Sequence, residues 1–341
     1  MITEKDALVI GPPGGLTFWA FEVLRALAKK NLEGPVEVVT VGVAQPVPAP
    51  VEHTAGRLLL TNYPGVEFID AIERLNVPVL YMSEEPSRVV NYLKEKTNRT
   101  NIEAIRVCSA SYSANLALRK GPKVAVLDRE MDINLPDLLR AMCAHLNLNI
   151  EATEILSYAA HITPKEMAEG TLGAAVRKFE GVADRSPSTD ELAEILIPSV
   201  LDPLAALITR HEIAAVVWPR NAFYSAERPT EMAPVSIDLM GPARMLVHGP
   251  YMHLPPGKYR AEILVDLFET ERDASFRVEI HAGEVCLKRV RFASPAPGRF
   301  AAAFEFQHPN AGPELQAQII TERGALDGRL SLLQVSFMPQ Q

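Results

Sequence analysis

The chain has 341 residues, of which 48% are hydrophobic and 22% charged, an ordinary composition for a soluble globular protein. This length suffices for two domains with substantial cores. The formal net charge is −8, so no global positive field attracts nucleic acid or anionic lipid. We therefore expect no nucleic-acid partner.

Cysteine usage and the N-terminal residues indicate the compartment. The three cysteines (Cys108, Cys143 and Cys286) lie far apart and form no CxxC motif, which argues against a disulfide framework and fits a reducing compartment. Residues 1–15, MITEKDALVIGPPGG, contain no apolar stretch long enough for a signal peptide. No uninterrupted apolar run of about 18–20 residues predicts a spanning helix. We expect a cytoplasmic protein without a membrane span.

Up to about Leu207, short apolar runs alternate with helical stretches. The predicted strands are Ala7–Ile10, Val36–Val43, Gly56–Thr61, Val77–Met82, Ile105–Ala110 and Val124–Leu127. The predicted helices are Leu16–Lys30, Phe68–Leu75 and Pro136–Leu146, followed by a helical region over Ala152–Arg210 in which Ser188 and Glu191 resemble a capping box. The alternation predicts an α/β fold with a mostly parallel, P-loop-like sheet and flanking helices.

After Pro242 the pattern changes to the period-two alternation of strands. In KYRAEILVDLF, from Lys258 to Phe268, apolar residues alternate with charged ones, and Tyr259 falls on the apolar side. Similar runs follow at roughly ten-residue spacing, separated by Pro- and Gly-containing turns, and they predict an antiparallel β-sandwich. The predicted organisation is an α/β domain over 1–215, a linker over 216–240 and a sandwich over 241–341. Trp218 is predicted to pack the two domains together.

A glycine-rich turn joins the first predicted strand to the first predicted helix. In VIGPPGGLTFWAFEVL, the backbone N–H groups near Gly14, Gly15 and Thr17 could hold a phosphate at the helix N-terminus. The turn lacks the G-x-x-x-x-G-K-[ST] spacing and has no lysine. A tight strand-to-helix connection without a ligand explains these residues equally well.

Five segments of the chain follow one another in a recognisable order: Pro12–Phe18, Leu60–Pro64, Val77–Tyr92, Leu127–Leu148 and Asp184–Leu207. This order resembles the family of PAPS-dependent sulfotransferases, in which the first three segments read P-K-x-G-T-T-W, K-T-H-x-P and a strand followed by R-x-P-x-D-x-x-x-S. The resemblance covers roughly residues 5–210. It implies a fold with a donor site for a sulfonated nucleotide, in which a lysine, a histidine, an arginine and a serine carry the chemistry.

The residues at these four positions are unfavourable for that chemistry. The resemblance places Pro13 at the lysine, Asn62 at the histidine, Glu84 at the arginine and Tyr92 at the serine. Proline supplies neither a cation nor an N–H group, asparagine cannot act as a general base at neutral pH, and a glutamate repels a phosphate. We therefore predict a degenerate donor site with no catalytic residue and no cofactor.

Three basic residues near the predicted donor site could alter this interpretation. Arg177 and Lys178 could reach an anion if one is bound, although two adjacent cations on a helix are more often a solvated face. Arg88 lies two residues beyond Pro86, and a contact from it to the site would need a different turn geometry.

The segment VHGPYMHLPPGKYRAEILVDL, from Val247 to Leu267, resembles β-sandwich modules attached to bacterial enzymes of surface-polysaccharide biosynthesis. The resemblance implies a carbohydrate-linked role. Tyr251, His253 and Arg260 are the candidate carbohydrate-binding residues, whereas the alternation around Tyr259 makes that side chain a core residue.

Other chemistry-bearing residues give weaker signals. The eight histidines form no H-E-x-x-H or comparable ligand spacing, so we predict no metal site. Cys108 fits a buried structural thiol better than a nucleophile. Lys288, Arg289 and Arg291 lie on one strand and could meet an anionic polysaccharide, with a solvated charged face as the alternative.

These observations lead to one functional hypothesis and two alternatives. The hypothesis is a non-catalytic binding or scaffold protein in bacterial cell-surface polysaccharide production, whose partner is a polysaccharide or a polysaccharide-biosynthesis protein. The chief alternative is a sulfotransferase or other group transferase that acts on a polysaccharide with a different donor, and the second is a purely structural assembly protein. Either predicted domain could also support a homo-oligomer.

Overall fold

The computed structural model describes residues 2–42, 45–115, 123–162, 171–181, 191–210, 212–269, 274–294, 296–310 and 312–340. The chain forms two compact units, each built from two stretches of sequence. The N-terminal unit comprises Met1–Arg99 and Ala114–Ser188, and the C-terminal unit comprises Thr100–Ser113 and Thr189–Gln341.

The N-terminal unit contains one parallel sheet with flanking helices. Its strands are β1 (Asp6–Ile10), β2 (Val36–Val41), β3 (Gly56–Thr61), β4 (Val79–Ser83) and β5 (Val124–Asp128), in the order β2-β3-β1-β4-β5. Its helices are α1 (Gly15–Ala28), α2 (Val66–Leu75), α3 (Pro86–Thr97), α5 (Leu135–His145), α6 (Ala152–Ile162) and α7 (Leu172–Glu180). Every pairing within this sheet is parallel, which confirms the predicted α/β class.

The core of this unit follows from the continuous apolar runs in the central strands. All five residues of β1 and all five of β4 are buried, as expected for strands of a parallel sheet covered by helices. Helix α1 contributes Trp19, Leu24 and Leu27 to the same core. The capping box predicted at Ser188 lies outside the described residues.

One predicted strand proved to be a helix. Residues 105–110 were predicted to be extended because of their β-branched and apolar side chains, but they form the middle of α4 (Asn101–Asn115). Thr100 and Glu103 cap this helix reciprocally: the N–H of Thr100 donates to Oε2 of Glu103 at 2.8 Å, and the N–H of Glu103 donates to Oγ1 of Thr100 at 3.4 Å. This capping box favours the helix over the strand. Cys108 is fully buried within it.

The C-terminal unit is an antiparallel sandwich. Its strands are β6 (Val216–Pro219), β7 (Tyr224–Ser225), β8 (Ile237–Asp238), β9 (Met245–His248), β10 (Pro250–Met252), β11 (Gly257–Phe268), β12 (Ala274–Ala282), β13 (Val285–Ser294), β14 (Gly298–His308), β15 (Leu315–Thr321) and β16 (Arg329–Gln340). One sheet has the order β13-β12-β15-β9-β7 with β10 beside β15, and the other has the order β14-β11-β16-β6 with β8 beside β16. This architecture confirms the predicted sandwich.

The sandwich begins earlier in the chain than the sequence predicted. Residues 216–240, predicted as a linker, provide β6, β7 and β8. Trp218 on β6 is fully buried inside this unit, where its ring lies 4.3 Å from that of Phe337 and 6.3 Å from that of Phe223. Its partners are therefore core residues of the sandwich.

The same unit contains an apolar helical segment, Glu191–Thr209. Among the described residues it is the one helical stretch that is long and apolar enough to cross a membrane by length and composition. It consists of α8 (Glu191–Leu196), a π-helical turn (Ile197–Leu201) and α9 (Asp202–Thr209). Of its most apolar 18-residue window 39% is buried, including Val200, Leu201 and Leu204.

Candidate functional site

The turn between β1 and α1 is buried, and a glutamate side chain of the protein lies against the N-terminus of α1. Gly11 to Leu16 are all buried. Gly14 is the N-cap of α1, and no side-chain hydrogen bond caps the helix from that position. Instead the N–H of Leu16 donates to Oε2 of Glu84 at 3.1 Å. The carboxylate of Glu84 thus lies at the helix N-terminus, where an anion is stabilised by free N–H groups and by the helix dipole.

The sheet topology brings Glu84 and its counter-charge together. Glu84 directly follows β4 and Arg129 directly follows β5, and these neighbouring parallel strands end at the same edge with Ser83 opposite Asp128. Arg129 Nη1 donates to Oε1 of Glu84. This edge of a parallel sheet, at the carboxyl ends of the strands, is where open α/β folds bind ligands.

A second carboxylate completes the cluster. Arg129 donates to Glu180 through Nη1 at 2.7 Å and through Nη2 at 2.8 Å, the bidentate geometry that suits guanidinium and carboxylate. Glu180 is the last residue of α7. The side chains of Arg129, Glu84 and Glu180 are only 4%, 0% and 10% exposed, so water screens these charges little.

Burial and pairing shift the proton affinities of this Glu84–Arg129–Glu180 cluster. Burial raises the pKa of Glu84, and the charge of Arg129 and the N–H of Leu16 offset part of that increase. Burial alone would lower the pKa of Arg129, but its hydrogen bonds with both carboxylates outweigh this effect and raise the pKa above the usual value. Arg129 is therefore charged at neutral pH.

The two glycines of the turn are required by the carboxylates beside them. A Cβ atom on Gly14 would lie 2.3 Å from Oε2 of Glu84, and one on Gly15 would lie 1.9 Å from Oε1 of Glu180. Real Cβ atoms do not approach oxygen this closely, so any larger residue would displace the cluster. Because Gly14 and Gly15 have no side chains, the carboxylates of Glu84 and Glu180 can lie directly against the backbone of the turn.

The structure separates the other residues predicted to hold a cofactor. The hydroxyl of Thr17 is buried near Gly11 and has no hydrogen-bond partner among the residues that the structure describes. Lys178 is exposed and donates to the carbonyl of His161, and Arg177 is half-buried beside Gly173. Helix α7, on which both cations lie, directs Glu180 towards the turn.

The remaining positions of the sulfotransferase resemblance are also engaged in local contacts. Asn62 Nδ2 donates to the carbonyl of Gly11 at 2.8 Å, and the ring of Tyr92 stacks on that of Phe18. Arg88 forms ion pairs with Glu85 and Glu130 at the surface. Arg88 therefore contributes to a solvated face and not to the turn.

A second candidate site lies on the sandwich. An open cleft of about 580 Å³ is lined by Ala226, Glu227, Arg244, Met245, His248, Tyr251, Gln316 and Gln318. Aromatic rings beside amide, carboxylate and guanidinium groups can stack on a sugar and hydrogen-bond its hydroxyls. Tyr251 is the only one of the three predicted carbohydrate-binding residues that lines this cleft.

Tyr251 and His248 form a paired unit in the cleft. The hydroxyl of Tyr251 lies 2.7 Å from Nδ1 of His248. Burial lowers the pKa of His248 and raises that of Tyr251, so both groups are neutral at pH 7. A hydroxyl that donates to Nδ1 leaves Nε2 as the N–H donor of a ring that lines the cleft. Tyr251 adopts φ +64°, a left-handed conformation that costs free energy in a non-glycine residue and is frequent at functional sites.

Arg106 on α4 contacts the rings of Tyr224 and Tyr251, which together with His248 form the aromatic wall of this cleft. Its Nε donates to the carbonyl of Pro250 and its Nη2 donates to the hydroxyl of Tyr224, both at 2.8 Å. The guanidinium carbon lies 5.4 Å from the ring centre of Tyr224 and 5.3 Å from that of Tyr251, within the range of cation–π attraction. The ring of Tyr224 in turn stacks on His248.

His253 and Arg260 lie elsewhere in the sandwich. The N–H of His253 donates to Oγ of Ser109, and burial lowers the pKa of its largely enclosed ring. Arg260 is exposed on β11, which belongs to the other sheet. Tyr259 is buried, as the alternation of its strand predicted, and its hydroxyl donates to the carbonyl of Pro255.

One group of side chains among the described residues could hold a metal ion. The candidate ligand atoms of Glu279, His281 and Cys286 lie within 4.8 Å of one another. The carboxylate of Glu279 is already bound by Arg277 at 2.9 Å, by Arg289 at 2.6 Å and by His281 at 2.8 Å. Because two guanidiniums compete for this carboxylate and repel a cation, the arrangement favours an arginine-binding carboxylate over a metal site.

Several of these residues gave no local signal in the sequence. Arg129 and Glu180 are ordinary charged residues in the sequence, and only the adjacency of β4 and β5 brings Arg129 to Glu84. Gln316 and Gln318 could have been identified from their alternation with Leu315 and Ala317, because alternate strand residues share a face.

These features define a protein with a parallel α/β unit and an antiparallel β-sandwich unit. No protein-family model matches the chain, and no curated protein matches it. Part of the fold is similar to a solved structure of mouse sulfotransferase SULT7A1 complexed with PAP, with 12% identity and a TM-score of 0.38, over 62% of this chain and 86% of that chain.

The sandwich is similar to solved carbohydrate-binding modules. One is the CBM36-1 domain of a multidomain xylanase from the hindgut metagenome of Trinervitermes trinervoides, with 8% identity and a TM-score of 0.27, over 38% of this chain and 99% of that chain. Another is the C-terminal CBM6 of LamC from Zobellia galactanivorans, with 11% identity and a TM-score of 0.24, over 36% and 99%. Scores this low transfer no function to this chain.

Proposed function

We propose that this chain is a non-catalytic carbohydrate-binding or scaffold protein in bacterial cell-surface polysaccharide production. In this proposal the sandwich cleft beside Tyr251 binds the glycan. In the same proposal the N-terminal unit has a structural role and does not bind a nucleotide. The contact between Glu84 and the N–H of Leu16 is the observation that carries the non-catalytic part.

That contact opposes binding of a sulfonated or phosphorylated donor at the turn. A donor phosphate would have to displace a carboxylate that is held by Leu16 and Arg129 and enclosed by buried residues. If Glu84 remained nearby, its charge would repel the phosphate. Breaking a buried ion pair of this kind typically costs about 3–5 kcal/mol, which the donor would have to supply.

The glycan-binding part is supported by the composition of the cleft. Tyr251 and His248 offer ring faces, Gln316 and Gln318 offer amide groups, and Arg106 holds the aromatic wall in place. Such a set suits a sugar, which presents one apolar face and a rim of hydroxyls.

Calorimetry with adenosine 3′,5′-bisphosphate tests the first part. The full chain should give no binding heat, and the Glu84→Gln variant should also give none, because Glu180 still lies against Gly15. Micromolar binding by the unaltered chain would overturn the non-catalytic proposal. The buried hydroxyl of Thr17 would then be the group to test for donor contact.

A glycan array tests the second part. We expect binding by the full chain that is lost in Tyr251→Ala and kept in Phe268→Ala, a matched change of an aromatic side chain that is 42% exposed on β11. Equal losses in both variants, or no signal from any glycan, would contradict the assignment of the cleft.

A further inference from the structure

The outer face of the cleft-bearing sheet continues beyond the cleft as a row of polar side chains. On β12 the side chains of Phe276, Val278 and Ile280 are fully buried, so the alternate residues face outwards. The register places Gln318 of β15 opposite Glu279 of β12, and Glu279 opposite Arg289 of β13. The cleft glutamine Gln318 is therefore two strands away from Arg289.

At the far end of this row two guanidiniums are much more exposed than the carboxylates with which they pair. The side chains of Arg289 and Arg291 are 57% and 72% exposed, whereas those of Glu279 and Glu322 are 7% and 18% exposed. Arg277 adds a third guanidinium opposite Arg291. The three arginines against two carboxylates leave this edge with a formal charge of +1 (3 − 2), on a chain whose total is −8.

The carboxylate of Glu279 orients this positive surface. Burial opposes its ionisation, but hydrogen bonds from His281 and Arg289 outweigh burial and lower its pKa, so it stays charged. Arg289 donates to the Glu279 carboxylate through Nε at 2.6 Å, and the Nε of Arg291 lies 2.7 Å from Oε1 of Glu322, so the terminal nitrogens of both guanidiniums can face a ligand. Guanidinium groups bind carboxylates and sulfate-like anions in this way.

We propose, building on the glycan-binding function above, that the ligand is an acidic polysaccharide that lies across the strands. One sugar of the polysaccharide occupies the cleft beside Tyr251 and His248. An anionic group further along the same polysaccharide binds Arg277, Arg289 and Arg291. Neighbouring strands are about 4.8 Å apart, so β10 and β13 are separated by three spacings or about 15 Å. Carboxylate and sulfate ester groups share the required chemistry.

Matched pairs of polymers test this inference on the full chain. Polygalacturonate is compared with its methyl ester, and dextran sulfate with dextran, by titration calorimetry at low and moderate salt. We expect the charged member of at least one pair to bind ten-fold or more tightly, with an affinity that falls as salt rises. The pair that shows the difference identifies carboxylate or sulfate as the recognised group.

Two variants and a control locate the effect. Arg289→Gln combined with Arg291→Gln should lower the affinity for the acidic polymer at least ten-fold. Arg299→Gln, which alters an arginine that is 65% exposed on the other sheet, should not. Tyr251→Ala should weaken binding of the acidic polymer as well. Circular dichroism and thermal midpoints establish that each variant is folded.

The outcomes separate this inference from the function on which it rests. Equal binding of neutral and acidic polymers at the Tyr251 cleft would overturn the acidic ligand and leave the carbohydrate-binding proposal standing. Binding of acidic polymers that is equally sensitive to any arginine and insensitive to Tyr251→Ala would show non-specific attraction and overturn the inference. Binding of no polymer would overturn both.

Discussion

Oε2 of Glu84 accepts a hydrogen bond from the N–H of Leu16 at 3.1 Å, although 68 residues separate the two in sequence. The contact places a carboxylate of the protein where a strand-to-helix turn would otherwise hold a bound anion. The guanidinium of Arg129 supplies the positive charge that balances this buried carboxylate.

Arg129→Met should strongly destabilise the N-terminal unit. The substitution leaves Glu84 and Glu180 buried without their shared cation, and removal of one partner of a buried ion pair costs about 3–5 kcal/mol. Urea unfolding followed by the fluorescence of Trp19, with Trp218→Phe as the background, measures the change. Arg88→Met is the matched control, because the surface pairs of Arg88 should contribute only about 0–1 kcal/mol. Similar effects of the two substitutions would contradict the role assigned to the cluster.

Gly15→Ala should also destabilise this unit, by about 1–3 kcal/mol, because its Cβ would meet Oε1 of Glu180 at 1.9 Å. The double variant with Glu180→Ala should recover part of the loss, giving non-additive free energies of unfolding. Gly173→Ala is the control: its Cβ has only ordinary contacts, and alanine favours a helix over glycine by up to about 1 kcal/mol. A neutral Gly15→Ala would show that Glu180 does not hold this position.

The sandwich should lose stability in acid through His308. This fully buried ring has its pKa lowered to about 4 by burial, against 6.5 for an exposed histidine. Because the unfolded chain binds the proton more readily, stability is complete above about pH 6.5 and falls as the pH approaches 4. The loss should be on the order of 2 kcal/mol at pH 4.5.

Urea midpoints measured by Trp218 fluorescence in a Trp19→Phe background follow this loss. His308→Leu should remove this part of the pH dependence, whereas Arg210→Met, at an exposed surface pair, should leave it unchanged. Identical pH profiles for the His308→Leu variant and its background would refute the assignment to His308.

Arg106→Met should reduce both the stability of the sandwich and its affinity for glycans. The change removes hydrogen bonds to the carbonyl of Pro250 and to the hydroxyl of Tyr224, worth about 1–3 kcal/mol together, and two cation–π contacts. Thermal unfolding and glycan titration give the two values. Unchanged glycan affinity in a folded variant would show that the wall of the cleft does not depend on Arg106.

Local patterns predicted most of the sheet strands because their apolar runs and alternation are properties of the strands themselves. The α4 region was misassigned because Ile105 and Val107 suggested a strand, while Thr100 and Glu103, which cap the helix, lie outside that window. The burial of the charged side chains of Glu84, Arg129 and Glu180 could not be predicted from local patterns. Glu84 was expected to disfavour a phosphate, but its pairing with Arg129 depends on the order of β4 and β5 in the sheet.

The side chains that line the sandwich cleft were predicted only in part, for a similar reason. Tyr251 was identified from its own segment, and the structure places it in the cleft. Arg260, nine residues further on, lies on a strand of the other sheet, and Gln318 comes from a distant strand that pairs beside the cleft. Proximity in sequence did not indicate which side chains share a face.

Helix α4 has a practical consequence for anyone who dissects this protein. Thr100–Ser113 is assigned to the C-terminal unit, although the sequence on both sides of it belongs to the N-terminal unit. A fragment that starts at residue 241 lacks Arg106 and the buried ring of Trp218. No single proteolytic cut can therefore release the C-terminal unit whole, and a gene fusion that carries only the last hundred residues transfers an incomplete sandwich.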